Sequence, residues 1–190
     1  MKIEKLPLSG LLLITPDVHP DERGFFMETY RQDVYREQGI AGAFVQDSHS
    51  HSKRSVVRGI KFQYDKPTDK FVRVAYGSIF AVAVDLRPHS PTFGKFETVT
   101  LSDENKIQFY LPFGFGFGFC ATSEVAGVLY KLSAVHNEQG SGTIRWDDSD
   151  INIAWPTTTP ILSPSDADAP TFKELIANGT IERMRGASLE

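Results

Sequence analysis

The chain has 190 residues, of which 41% are hydrophobic and 23% are charged, and this composition is typical of one soluble globular domain. The formal net charge of −4 argues against a general affinity for nucleic acid, because no basic excess is present to neutralise phosphates. The single cysteine, Cys120, excludes an internal disulfide and a thiolate metal site. The apolar run near the N-terminus ends at Pro16, which makes it too short for a signal segment or a membrane span, so we expect a cytoplasmic protein with no membrane partner.

Short strand-like segments follow one another along most of the chain. Apolar runs bounded by turn residues predict strands at residues 11–15, 24–30, 44–52, 95–101, 106–111 and 127–135, and three more within 55–87. Helices are predicted at residues 31–38 and 171–178. Roughly nine or ten strands spaced about 8–12 residues apart predict an all-β sandwich or barrel, formed by a single domain of residues 1–190. The irregular segment from about 156, with the helix that follows it to about 182, is expected to pack on that domain.

Long polar side chains interrupt the apolar pattern within residues 55–87. They are Arg58, Lys61, Gln63, Lys70 and Arg73. Strand periodicity places Arg58 and Lys61 on opposite faces, unless a bulge at Gly59 changes the register. The four charged residues, Arg58, Lys61, Lys70 and Arg73, are each most often a solvated charge when taken alone. Together with Arg23, however, they could form the local basic cluster that a diphosphate requires.

Three further patterns allow both a structural and a functional interpretation. In residues 113–119, FGFGFGF, strand alternation would point each Phe to one face and each Gly to the other, which predicts either an aromatic-packed rim or a pocket wall. Tyr130 is either a core residue with a satisfied hydroxyl or a general acid. His49 and His51 would share a strand face, but no carboxylate follows them within residues 52–58, so we expect no metal site.

Eight segments of the chain form an ordered set: DERGFFMETY, FVQDSHS, VVRGIKFQ, KFVRVAYG, AVDLRPHSPTFGK, LSDENK, WDDSDINIAWP and LSPSDADAPTF. Together, over about residues 3–182, they resemble the dTDP-4-dehydrorhamnose 3,5-epimerase family. The resemblance implies a cupin-like jelly roll that forms a homodimer with exchanged N-terminal strands and uses no metal or other cofactor. It also implies a substrate, a nucleotide-linked 4-keto-6-deoxy sugar. The implied reaction removes a proton α to the C4 ketone and returns one from the opposite face, at C3 and C5.

The resemblance further implies roles for individual residues. The family base is a His oriented by an Asp, and the position of that Asp is occupied by Asp166. Tyr130 matches the family acid, and Lys70 matches the lysine that stabilises the enolate. The residues that match substrate-contacting positions are Arg23, Phe26, Glu28, Gln46, Ser48 (where an Asn is usual) and the diphosphate-binding Arg58.

Four further positions depart from the family pattern, and the resemblance implies that all of them belong to the pocket. Lys61 replaces the base His of R-G-L-H-[YF], and Phe117 replaces a second pocket His. Ala81 replaces a pocket Asp, and His136 stands at the Tyr of the Y-Y-N-P or E-Y-N-P motif. The motifs that determine the fold are therefore retained, whereas residues on the side of the site that holds the base are replaced.

The exchange of His for Lys61 leaves three interpretations open. A free lysine is almost wholly protonated at pH 7 and is a poor base. Burial beside Phe117 and Ala81 would favour the neutral amine, whereas Asp166 would favour the ammonium. The first interpretation is an epimerase at C3, C5 or both, with Lys61 as base and Tyr130 as acid. The second is a related sugar-nucleotide enzyme with a changed reaction or substrate, and the third is a catalytically impaired protein that binds a sugar nucleotide without epimerising it.

Overall fold

The computed structural model of this protein describes residues 1–40 and 42–186. The strands in these residues are β1 (Lys2–Lys5), β2 (Leu12–Thr15), β3 (Val18–Asp21), β4 (Gly24–Met27), β5 (Gln46–Lys53), β6 (Val57–Gln63), β7 (Lys70–Tyr76), β8 (Ser78–Asp85), β9 (Phe96–Ser102), β10 (Gln108–Leu111), β11 (Phe115–Ala121), β12 (Val125–Leu132) and β13 (Ser141–Ile144). The helices are α1 (Gln32–Glu37), α2 (Pro164–Ala167) and α3 (Phe172–Ala177), with 3₁₀ turns at Glu138–Gly140 and Ile181–Gly186. The prediction of an all-β protein with a few short helices is therefore confirmed.

Two large antiparallel sheets face each other in a jelly-roll sandwich. The six-stranded sheet has the order β1-β2-β10-β7-β12-β5, and the five-stranded sheet has the order β13-β6-β11-β8-β9. Strands β3 and β4 pair with each other and form a separate two-stranded hairpin. Strands β5 and β13 lie at sheet edges, and the residues of the candidate site lie on the strands close to these edges.

The main hydrophobic core fills the space between the two sheets. It joins β7, β10 and β12 of one sheet to β8, β9 and β11 of the other. The three Phe residues of β11 face this core, and the glycines between them face away from it. A Cβ atom on Gly116 would lie 2.7 Å from Cγ2 of Ile60, and one on Gly118 would lie 2.9 Å from the carbonyl oxygen of Gly59. The Phe/Gly alternation is thus confirmed for residues 115–119, and glycine is required at 116 and 118 because β6 leaves no room for side chains there. Phe113 precedes β11 and belongs to a different cluster, which contains Ile60.

Each large sheet also packs against a short helix on its outer face. Helix α1 contributes Tyr35 to a cluster with Phe71 of the six-stranded sheet. Helix α3 contributes Phe172 to a second cluster with β6 and β8 of the five-stranded sheet. A capping box begins α3, since Thr171 Oγ1 accepts a hydrogen bond from the backbone N–H of Glu174 at 3.2 Å and the Glu174 carboxylate accepts one from the backbone N–H of Thr171 at 2.7 Å.

The structure differs from the sequence prediction in a few elements. Strands β1, β3 and β13 are not predicted, because a four-residue strand carries little periodic signal. Helix α2 lies within the segment 156–170 that was expected to be irregular, and Ser163 caps it by accepting a hydrogen bond from the backbone N–H of Asp166. None of the helices in residues 1–40 and 42–186 combines the length and apolar character needed to cross a membrane.

Candidate functional site

A β-bulge in β6 brings Arg58 and Lys61 onto one face of the five-stranded sheet. Lys61 pairs with Phe117 and Arg58 pairs with Phe119, so β6 has one residue more than β11 between these two pairs. Both Phe rings face the core between the sheets, and side chains directly opposite each other in a pair share a face. The bulge considered at Gly59 is therefore confirmed, and both basic side chains are directed into the sandwich.

A cavity of about 500 Å³ opens between the two sheets near these residues, within the size range of small-molecule sites. Its polar and charged lining residues include Lys61, Gln63, Thr68, Lys70, His136, Glu138, Ser141, Thr143, Ser165 and Asp168. We call this space the lysine cavity, because Lys61 enters it from β6 and Lys70 enters it from β7. The two lysines therefore reach one space from opposite sheets.

Lys61 forms an ion pair with Asp166 of α2 at the wall of the cavity. Its Nζ lies 2.9 Å from Oδ1 of Asp166, and the lysine side chain is 49% exposed whereas that of the aspartate is 4% exposed. The Ser163 hydroxyl donates a hydrogen bond of 2.8 Å to Oδ2 of the same carboxylate. A Cβ atom at position 59 would lie 2.8 Å from Oδ1, so Gly59 provides the space for this approach. Asp166 thus anchors Lys61 as a cation.

Lys70 reaches the same cavity without a carboxylate partner. Its ammonium donates to the carbonyl oxygen of Phe115 at 3.4 Å, and it forms no ion pair in the part of the chain that the structure describes. Burial lowers the pKa of Lys70 to about 8, although the charge of Asp69 acts in the opposite direction. Ala81, which stands where the family pattern has an Asp, is fully buried in the core between the sheets. Position 81 therefore supplies no negative charge.

Tyr130 lies on the inner face of β12 and is linked to the lysine cavity through Phe117. The two rings meet edge to face with their centroids 6.3 Å apart, and Phe117 is the cross-strand neighbour of Lys61. The Tyr130 hydroxyl lies 2.9 Å from the Ser50 hydroxyl on β5. Burial raises the pKa of Tyr130 to about 12, although the Ser50 hydrogen bond and the charge of Arg58 lower it. The phenol is therefore protonated at neutral pH and can donate a proton.

The predicted contacts on β5 lie beside the segment that follows β12. The side-chain oxygen of Gln46 accepts a hydrogen bond from the backbone N–H of His136 at 2.8 Å, and its amide nitrogen donates to Ser48 Oγ at 3.2 Å. Buried Gln63 accepts a hydrogen bond of 2.9 Å from the backbone N–H of Asn137. The segment carrying His136 is thus held between the two sheets, with His136 in the cavity lining.

Three serines position site residues and were not identified by the sequence analysis. Ser50 contacts the Tyr130 hydroxyl, Ser52 accepts a hydrogen bond from Arg58 Nε at 3.1 Å, and Ser163 donates to the Asp166 carboxylate. The first two follow Ser48 at a spacing of two residues, so strand alternation could have found them. Ser163 precedes a proline at the first position of a helix, which is an N-cap signal.

Arg23, Phe26 and Glu28 do not line the lysine cavity. The first two belong to the β3–β4 hairpin, where Arg23 is paired with Asp21 and Phe26 is 71% exposed. The Glu28 carboxylate lies 3.7 Å from the guanidinium of Arg31. Within one chain, the structure therefore brings together the predicted residues of β5, β6, β7, β11, β12 and α2, but not those of the hairpin region.

His49 and His51 lie on the outer face of β5. The His51 ring nitrogen Nδ1 is 2.9 Å from the hydroxyl of Tyr76, and both imidazoles are exposed. In residues 1–40 and 42–186, no three His, Cys, Asp or Glu side chains cluster closely enough to hold a metal ion. The pair is therefore a surface feature of the edge strand.

Known proteins match the chain over most of its length. The family model for dTDP-4-dehydrorhamnose 3,5-epimerase matches residues 5–174. A curated dTDP-4-dehydrorhamnose 3,5-epimerase from Methanothermobacter thermautotrophicus is 47% identical over 152 residues, which cover 80% of this chain and 82% of that protein. This chain belongs to the dTDP-4-dehydrorhamnose 3,5-epimerase family.

Two solved structures superpose closely on this fold. A dTDP-6-deoxy-D-glucose-3,5-epimerase from Legionella pneumophila, in complex with dTDP-4-keto-L-rhamnose, has a TM-score of 0.90 at 38% identity, covering 93% of this chain and 95% of the other. NovW, a 4-keto-6-deoxy sugar epimerase from the novobiocin gene cluster of Streptomyces spheroides, has a TM-score of 0.91 at 37% identity, covering 94% and 91%. The expected cupin-like jelly roll is thereby confirmed.

Proposed function

We propose that this protein is an isomerase that epimerises C3, C5 or both of a nucleotide-linked 4-keto-6-deoxy sugar in deoxysugar biosynthesis, for example of O-antigen. The main support for the proposal is the lysine cavity, which is lined by Lys61 and Lys70. Tyr130 lies next to this cavity, in contact with the ring of Phe117. The ligand and the activity named for the two structural relatives support the same class of substrate.

Epimerisation next to a ketone requires three chemical groups. A base removes the proton from the carbon next to the ketone. The C–H electron pair then forms the C=C bond of an enolate, and the negative charge lies on the ketone oxygen. A cation stabilises the enolate oxygen, and an acid returns a proton to the opposite face of the carbon. The two lysines of the cavity provide the base and the cation, and protonated Tyr130 provides the acid. The family pattern assigns the base to Lys61 and the cation to Lys70.

Arg58 and the neighbouring polar residues would hold the remainder of the substrate. The guanidinium of Arg58 is directed into the sandwich and can bind a diphosphate through two parallel hydrogen bonds. Because the chain as a whole is acidic, attraction of such a ligand depends on this local cluster. The other substrate-binding candidates beside the cavity are Gln46, Ser48, Phe117 and His136.

We further propose that the protein is a cytoplasmic homodimer of single-domain subunits and that the hairpin packs on the partner subunit. Phe25 and Phe26 are 53% and 71% exposed, and adjacent exposed aromatic rings are typical of a contact surface. A dimer would also allow Arg23 to contact a ligand bound to the partner subunit, since Arg23 does not line the lysine cavity of its own chain. Light scattering after size exclusion should give twice the 21.2 kDa chain mass. A monomer that retains full activity would contradict the dimer.

Isotope exchange tests the reaction directly. The protein is incubated in D2O with the dTDP, CDP and GDP forms of a 4-keto-6-deoxyhexose, and deuterium at C3 and C5 is followed by NMR. We expect incorporation with at least one nucleotide, reduced about 100-fold or more in Tyr130→Phe because the acid is lost. Binding of dTDP without exchange in the wild type, combined with gained exchange in Lys61→His, would instead identify a catalytically impaired binder.

A further inference from the structure

The two lysines of the cavity have different electrostatic surroundings. The Lys61 ammonium lies 2.9 Å from Oδ1 of the buried Asp166 carboxylate. This oxygen has no further hydrogen-bond partner in the described residues. Among the residues that the structure describes, the Lys70 ammonium has one hydrogen-bond partner, the carbonyl oxygen of Phe115 at 3.4 Å. A lysine in an ion pair with a buried carboxylate holds its proton, because losing it would leave that carboxylate without a counter-charge. Lys70 loses no such partner when it becomes neutral.

In the described residues, the charged groups around Lys70 provide no equivalent of the Asp166 carboxylate that pairs with Lys61. On its own strand, the Asp69 carboxylate already accepts hydrogen bonds of 2.9 Å from the Tyr110 hydroxyl and from the backbone N–H of Phe113. The titratable groups that share the cavity lining with Lys70 are Lys61 from β6, His136 and Glu138 from the segment after β12, and Asp168 at the end of α2. None of these forms an ion pair with Lys70 in the described residues.

We propose that Lys70 is the general base of the proposed epimerisation and that Lys61, held as a cation by Asp166, stabilises the enolate. The roles that the family pattern gives to these two positions are thus exchanged in this chain. The inference rests on the proposed function, because it assigns roles within that reaction. It explains why a lysine can occupy the position of the base His: in this chain that position carries a charge instead of accepting a proton.

The proposed proton transfers between the substrate, Lys70 and Tyr130 conserve atoms and charge. The neutral amine of Lys70 takes the proton from the carbon next to the ketone. The C–H electron pair becomes the C=C bond of the enolate, and the electron pair of the C=O π bond moves onto the ketone oxygen. Lys61 offers its ammonium to that oxygen, and the Tyr130 hydroxyl protonates the carbon from the opposite face. Lys70 then returns its proton to solvent, and Tyr130 recovers one from solvent. The low pKa of Lys70, about 8, means that a useful fraction of the amine is neutral near pH 7.5.

Arginine variants separate a base from a cation, because a guanidinium keeps the charge but cannot accept a proton. The exchange rate in D2O is measured for the wild type, Lys61→Arg, Lys70→Arg and Lys70→Met. Lys53→Arg serves as the matched control, since Lys53 is exposed on β5 away from the cavity. Circular dichroism and dTDP titration confirm that each variant folds and binds. We expect Lys61→Arg to keep exchange within about 10-fold of the wild type and both Lys70 variants to lose about 100-fold or more.

The pH profile provides a second and independent readout. In the wild type and in Lys61→Arg, the exchange rate should rise with pH through a midpoint near 8, the value expected for Lys70. If the Lys70 variants fail to fold, the pH profile of Lys61→Arg alone tests the assignment of Lys70 as the base. A midpoint near 8 in that variant supports the assignment, and the absence of such a midpoint overturns it. With an active wild type, loss of exchange in Lys61→Arg or its retention in a folded Lys70 variant would also overturn the assignment. A wild type that exchanges with no nucleotide would refute the proposed function itself.

Discussion

Replacement of Gly59 by alanine tests whether the close approach of Asp166 to β6 holds the candidate site together. The new Cβ atom would lie 2.8 Å from Asp166 Oδ1, which is about 0.6 Å inside the 3.4 Å at which ordinary contacts begin. It would also lie 3.2 Å from Cγ2 of Thr143, so the neighbours on two sides are already close. Asp166 must therefore move, because the backbone of β6 is fixed by pairing with β11 and β13.

Overpacking of this kind costs about 1–3 kcal/mol of unfolding free energy. For a chain of this size, each kcal/mol lowers the Tm by about 2–4 °C. Movement of the carboxylate also disturbs its contact with Lys61, and a misplacement of about 1 Å in a catalytic group can lower a rate by about 100-fold. We therefore expect a lower Tm in calorimetry and a clearly reduced rate of deuterium exchange.

Gly186→Ala provides the matched control for this experiment. The nearest atom to its new Cβ would be Cε1 of Phe113 at 4.0 Å, so the added methyl group meets no obstacle. The control should keep the Tm and the exchange rate of the wild type. If Gly59→Ala behaved like Gly186→Ala in both measurements, the packing of Asp166 against β6 would not support the site.

Three further substitutions test the packing and charge of the fold. Asp85→Asn removes the carboxylate partner of buried Arg87 and should cost about 3–5 kcal/mol in urea unfolding at pH 7. Burial raises the pKa of Asp85, but hydrogen bonds, of which that from Arg87 is the strongest, lower it by more, so the folded-state pKa lies below 3.8. The stabilisation that ionised Asp85 gives the folded state is therefore present above pH 3.8 and should be lost as the pH falls below that value. Phe117→Ala should cost about 3–5 kcal/mol by leaving a cavity between the sheets, and an unchanged urea midpoint would contradict its core position. Thr171→Ala should cost about 1 kcal/mol through loss of the α3 cap, whereas Thr158→Ala, at an exposed position, should cost less than about 0.5 kcal/mol.

Much of the fold was predictable because its signals are local. The Phe/Gly alternation of β11 fixes two faces within a few residues, and the Thr171–Glu174 capping box lies within one helical turn. Strands β1, β3 and β13 escaped prediction because each has four residues and takes its stability from the strand beside it. Their existence depends on pairing partners from other parts of the chain, which periodicity does not reveal.

The sequence named candidate site residues, but it did not give their geometry. Period-two counting alone would have separated Arg58 from Lys61, and only the observed pairing with β11 shows that a bulge unites them. The residues of the hairpin were selected as substrate contacts by resemblance, yet they lie away from the lysine cavity in their own chain. A family pattern assigns positions to a site, but it does not state whether one chain or two supply them.

The sequence by itself determined the all-β class and the family, and it showed the positions at which the chain departs from the family pattern, since each of these follows from local pattern and residue identity. The tertiary structure decided which lysine carries a counter-ion. Asp166 reaches Lys61 because Gly59 leaves space beside it, whereas Lys70 forms no ion pair within residues 1–40 and 42–186. Charge states depend on burial and on partners distant in sequence, and folding alone brings those partners together.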